Sequence, residues 1–68
     1  MASMLEYIKI ILQKVSFDRR LFEKELRKAI RMLMPNEVKR LKVWCYEHYG
    51  SVHLPVLNNC FTVSDLTL

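Results

Sequence analysis

From Ser3 to Met34 the chain contains neither glycine nor proline, and across all 68 residues these breakers occur only at Pro35, Gly50 and Pro55. A stretch that long, filled with Leu, Ile, Met, Lys, Arg and Glu, favours helix, because these side chains lose little freedom there and nothing interrupts the backbone ladder. The length fits one small domain. A chain of this size buries only about 60% of its unfolded surface, which leaves little interior for an enclosed catalytic pocket. Its core alone is worth about 3–5 kcal/mol, so a very regular bundle or a partner contact is expected to help. The expectation is therefore a non-enzymatic protein with no catalytic residues, no cofactor and no metal.

The first helix is predicted to start at Ser3, three residues before Glu6 in an S-x-x-E arrangement that satisfies free backbone N–H groups. Leu5, Tyr7, Ile8, Ile11, Leu12 and Val15 then form a broad apolar arc, with Glu6, Lys9 and Gln13 opposite and Ile10 outside it. Asp18 reads as the N-cap of a second helix over residues 19–33, with Phe17 placed to staple onto Phe22. Phe22, Leu26, Ala29, Ile30 and Leu33 give that helix one continuous stripe. Pro35 ends it and opens a third helix, where Val38, Leu41, Trp44, Cys45, His48 and Tyr49 share a face. Gly50 reads as its terminator.

Beyond Gly50 there is no Lys or Arg, and residues 51–57 read as extended chain around Pro55. The tail is rich in Val, Leu and Phe, unlike most disordered segments, so Leu54, Val56, Leu57 and Phe61 are expected to strap over a groove of the bundle. The fold class that follows is an all-α three-helix bundle, residues 1–50, with an extended, partly ordered C-terminal tail, residues 51–68.

Eleven Lys and Arg against seven Asp and Glu give a net charge of +4, and residues 1–50 hold all eleven cations but six acids, leaving +5. Arg20, Lys24, Arg27, Lys28 and Arg31 repeat the rhythm of the second helix's core stripe two positions earlier, which puts a ridge of cations opposite the core. A solvated face beside Glu23 and Glu25 is the ordinary account of such a ridge. The alternative is a nonspecific nucleic-acid or anionic-partner contact, since phosphates are neutralised by such cations. A helix-turn-helix reading fits poorly: the turn before Pro35 lacks glycine, and the third helix spreads Lys39, Arg40 and Lys42 around its circumference with no Asn or Gln set for adenine.

Cys45, His48, His53 and Cys60 have metal-ligand chemistry, but C-x2-H-x4-H-x6-C matches no familiar zinc spacing. Cys45 and His48 lie one helical turn apart on the core arc, where a thiol is ordinarily just a small apolar side chain. A single glycine offers no oxyanion-stabilising loop for a thiol nucleophile. Glu23 and Glu25, two apart on a helix, diverge and form no carboxylate pair. Two cysteines allow one disulfide without making a framework, and a cytoplasmic protein with reduced thiols is expected. Residues 7–12 are too short and too interrupted by Lys9 for a secretory core, and no apolar run reaches the roughly 18 residues of a membrane span.

Tyr7, Ile10 and Tyr46 project at or beyond the margins of their apolar arcs and, with the four Met side chains, mark the expected protein interface. The partner is another protein, a second copy of the chain being one candidate. The runs Ile11-Leu12-Gln13-Lys14-Val15-Ser16-Phe17-Asp18-Arg19-Arg20-Leu21-Phe22-Glu23-Lys24-Glu25-Leu26 and Leu41-Lys42-Val43-Trp44-Cys45-Tyr46 resemble small uncharacterised bacterial helical proteins. The resemblance covers about residues 5–50, implies a compact helical fold and carries over no functional residue.

Overall fold

The computed structural model describes residues 3–66, with the side chains of residues 3–61. It contains four helices: α1 (Met4–Val15), α2 (Arg19–Met32), α3 (Pro35–Tyr49) and α4 (Leu54–Leu66). The three-helix expectation is thus corrected, because most of the expected tail is a helix.

Each start has a local cause. The Ser3 hydroxyl accepts the Glu6 N–H at 3.2 Å, and the Asp18 carboxylate accepts the N–H groups of Arg20 and Leu21 at 2.9 and 3.2 Å. At α3 the Glu37 carboxylate reaches back to the Met34 N–H at 3.1 Å, while Pro35 occupies the first turn, where its missing N–H costs no ladder bond. Leu33 and Met34 are both extended, as the residue before a proline prefers, and this turns the chain from α2 into α3.

α4 begins where extended chain was expected. The N–H groups of Val52 and His53 both donate to the Tyr49 carbonyl, at 3.1 and 2.8 Å, which folds the chain back on the end of α3. The His53 carbonyl then accepts the Leu57 N–H at 3.0 Å as the opening turn of α4. Pro55 therefore lies in a first turn, where it is tolerated. Val56, Leu57, Cys60 and Phe61 recur at helical spacing and are all buried, whereas Leu54 is exposed.

α1 packs on α2 and α3, and α4 packs on the same two helices, so the ring order is α1, α2, α4, α3, with α4 diagonal to α1. The C-terminal segment therefore covers the α2–α3 side of the core and not the broad arc of α1. Leu5, Ile8 and Leu12 of α1 meet Phe22, Leu26, Ala29 and Leu33 from α2 and its end, Leu41 and Cys45 of α3, and the α4 quartet in one cluster. Phe22 is fully buried, stacked on the His53 ring at 4.5 Å and met edge-on by Tyr49 at 5.0 Å.

The expected staple between Phe17 and Phe22 does not form. The turn bond from the Asp18 N–H to the Val15 carbonyl carries residue 17 outward, Phe17 is 81% exposed, and the His53 ring stacks on Phe22 instead. Gly50 does end α3, as its C-cap, but without a left-handed turn. It is right-handed, with φ −60°. What it relieves is a close approach, since a Cβ there would run into the Tyr46 carbonyl oxygen that accepts the Gly50 N–H.

Phe22→Ala is expected to lower the unfolding free energy by about 3–5 kcal/mol, the cost of truncating a fully packed ring. Phe17→Ala is expected to change it by no more than about 0.5 kcal/mol, as for an exposed side chain. Chemical denaturation of the two variants checks the contrast. Equal effects would contradict the placement of both rings.

Candidate functional site

The residues with catalytic or metal-binding chemistry are scattered and occupied. Cys45 and Cys60 are buried, and neither is in a disulfide. Burial in the core pushes the Cys45 thiol up to about 12, with a further push from the neighbouring Cys60. Burial also raises Cys60, against a downward pull from Arg27. His48 is exposed, and its Nδ1 lies 3.0 Å from the Trp44 carbonyl one turn back on its own helix. His53 is buried, and its Nε2 donates to the Ser16 carbonyl at 2.7 Å. Among the described residues no group of three or more His, Cys, Asp or Glu side chains is placed to hold a metal ion.

Two grooves flank α1. The one toward α3 is lined by Leu5, Glu6, Lys9, Arg40, Val43, Trp44 and Glu47. It is the wider of the two, about 470 Å³, and it is more polar, with the Lys9 ammonium 5.7 Å from the Trp44 ring centre and paired with Glu6 at 3.2 Å. The groove toward α2, about 220 Å³, is mostly apolar: Met4, Tyr7, Ile8, Ile11 and Leu12 from α1 face Ala29 and Met32 from α2. Tyr7 is 58% exposed, Met32 56% and Met4 47%, so the lips of this groove are large apolar side chains in water. Glu25 and Lys28 complete the lining and pair with each other at 3.6 Å.

The sequence-predicted residues fall in three places. Tyr7 lies on the α1–α2 groove. Ile10 is exposed on the outward face of α1 and lines neither groove. Tyr46 is half-buried against α4, where its hydroxyl donates to the Asn58 Oδ1 at 2.6 Å and its ring meets Phe61 at 6.2 Å. The structure therefore does not bring Tyr46 to the Tyr7 surface. Met4 and Met32 join Tyr7 in its place. Their membership depends on the antiparallel register of α1 and α2, which sets residue 4 across from residue 32.

All five ridge residues, Arg20, Lys24, Arg27, Lys28 and Arg31, are exposed. Arg27 is held by Glu23 at 2.9 Å, while Arg20, Lys24 and Arg31 make no ion pair among the described residues. Helical spacing puts Lys24 and Arg31 just outside Lys28 on the α2 lip, and Lys14 beyond Tyr7 on the α1 lip. The groove lining is thus apolar apart from the Glu25–Lys28 pair, with Lys14, Lys24 and Arg31 flanking it from outside.

Comparison with protein-family models, curated proteins and solved structures gives no match to this chain. Among the described residues no helix is long and apolar enough to cross a membrane.

Both thiols are expected to resist a disulfide reagent at pH 8 in the folded protein and to react promptly once denaturant is added, because thiolate is the reactive form and both sulfurs are buried and held protonated. The sign for stability follows from linkage. Folding raises the Cys45 pKa, so its contribution is fully present below the ordinary value of 9.0 and is lost as pH climbs from there toward about 12. Thiol titration and denaturation at several pH values check both. Rapid labelling of the native protein would contradict the burial.

Proposed function

We propose that the chain is a small protein–protein interaction module that works through the α1–α2 groove. The observation that supports this reading is that Met4, Tyr7 and Met32, three of the exposed large apolar side chains, gather around one preformed apolar trough. Aromatic and Met side chains at such a lip serve as interface anchors. A second copy meeting the same patch across a twofold axis is one form such an interface takes. Reduced, buried thiols are in keeping with a cytoplasmic setting.

A nonspecific nucleic-acid binder is the second reading, supported by the exposure of Arg20, Lys24, Arg27, Lys28 and Arg31 on one helix. Contacts there go to phosphate, because the ridge has no short polar residues to read bases.

The test compares the purified chain with a Tyr7→Glu, Met32→Glu variant as bait in cell extract. Both substituted side chains are exposed, so the fold is expected to be retained. Wild type is expected to recover a protein that the variant loses. Equal recovery by both baits would contradict the assignment. So would binding only to unrelated DNA, with affinity falling steeply as salt rises.

A further inference from the structure

We infer that the occupant of the α1–α2 groove is an acidic amphipathic helix of a partner protein. This rests on the interaction-module reading and adds the partner's chemistry. The floor is elongated along the helix axes: Met4, Tyr7, Ile8 and Ile11 span two turns of α1 and run beside Met32, Ala29 and Lys28 of α2. A trough of two-turn length between antiparallel helices accepts a third helix carrying apolar residues at i, i+3 or i+4, and i+7.

The flanks outside the lining set the charge. Lys14 lies on the α1 side, and Lys24 and Arg31 lie on the α2 side beyond Lys28. The acid in the lining is Glu25, and Lys28 already neutralises it at 3.6 Å. Among the described residues, Lys24 and Arg31 have no carboxylate partner of their own. A helix with Leu or Ile along one side and Glu or Asp on both flanks fills the floor and meets these cations, which also steers its approach. A second copy of this chain is a poorer occupant, because a twofold pairing sets two rows of Lys14, Lys24, Lys28 and Arg31 facing each other across the seam. A flat anionic membrane is poorer too, because the apolar atoms line a concave trough and do not all project from it.

The probe is a peptide of about 16 residues, long enough to hold helical structure on binding. It carries Leu at i, i+3, i+4 and i+7 with Glu on the flanks, and a counterpart has Lys in place of every Glu. Methyl NMR of the full chain reads the site through Met4, Ile8, Ile11 and Met32. The acidic peptide is expected to shift those four residues and to bind at least roughly tenfold more tightly than its Lys counterpart, with the gap narrowing as salt is added. Lys24→Glu, Lys28→Glu, Arg31→Glu together, all exposed and checked for helicity by circular dichroism, are expected to reverse the preference.

Equal affinity for both peptides at these methyls overturns the acidic-helix inference and leaves the interaction-module reading standing. The same follows if the methyls shift with protein concentration alone, which makes a second copy the occupant. Failure of the acidic peptide to move these methyls also overturns the inference. If neither peptide binds and vesicles of phosphatidylserine and phosphatidylcholine sediment the protein through the same residues, both the inference and the reading fall.

Discussion

The ring of His53 joins parts of the chain that are far apart in sequence. Its Nε2 donates to the carbonyl of Ser16, 37 residues away, and its face stacks on Phe22. A carbonyl can only accept, so Nε2 carries a proton, while Nδ1 is buried with no hydrogen-bond partner among the described residues. An unsatisfied buried group of this kind costs about 1–3 kcal/mol. The site offsets that cost by closing a helix end, because the Ser16 carbonyl stands at the C-cap of α1, where no intrahelical donor remains. One side chain thereby ties the α1–α2 corner to the α3–α4 corner, and its own backbone carbonyl opens α4.

The rest of the architecture follows from that clamp. With His53 fixed over Phe22, the next turns of α4 bring Leu57, Cys60 and Phe61 into the space between α2 and α3. The core is then complete without further cover for α1. The α1–α2 groove stays open because α4 is committed to the diagonal position, and the residues left in water there are Met4, Tyr7 and Met32. A larger share of core residues than three helices alone can supply also explains how so short a chain holds a single cluster.

Much of the first fifty residues was legible because the signals are local. Ser3 with Glu6, Asp18 ahead of Arg19, and Pro35 after an extended Met34 each act within one turn, and the stripe from Phe22 to Leu33 is a plain helical period. α4 was hidden by propensity. Pro55, the Asn58-Asn59 pair and β-branched Thr62 and Val63 argue against helix one residue at a time, and only packing of Val56, Leu57, Cys60 and Phe61 outweighs them. Phe17 misled because its staple geometry is sound locally but the Phe22 face is taken by a residue 36 positions away from it. The groove was half legible. The width of the α1 arc pointed to Tyr7, whereas Met4 and Met32 meet it only through the pairing of two helices, and Tyr46 was drawn off to Asn58 and Phe61 on an element that the local pattern did not reveal.

The central claim is that α4, held by His53, belongs to the same cooperative unit as α1–α3. Native-state hydrogen exchange measures this directly, because amides that open only on global unfolding share one free energy while a loosely attached segment exchanges far faster. The account predicts that the amides of Leu57, Cys60 and Phe61 exchange with the same opening free energy as those of Leu26 and Leu41. Fast exchange throughout α4, with α2 and α3 still protected, would contradict it.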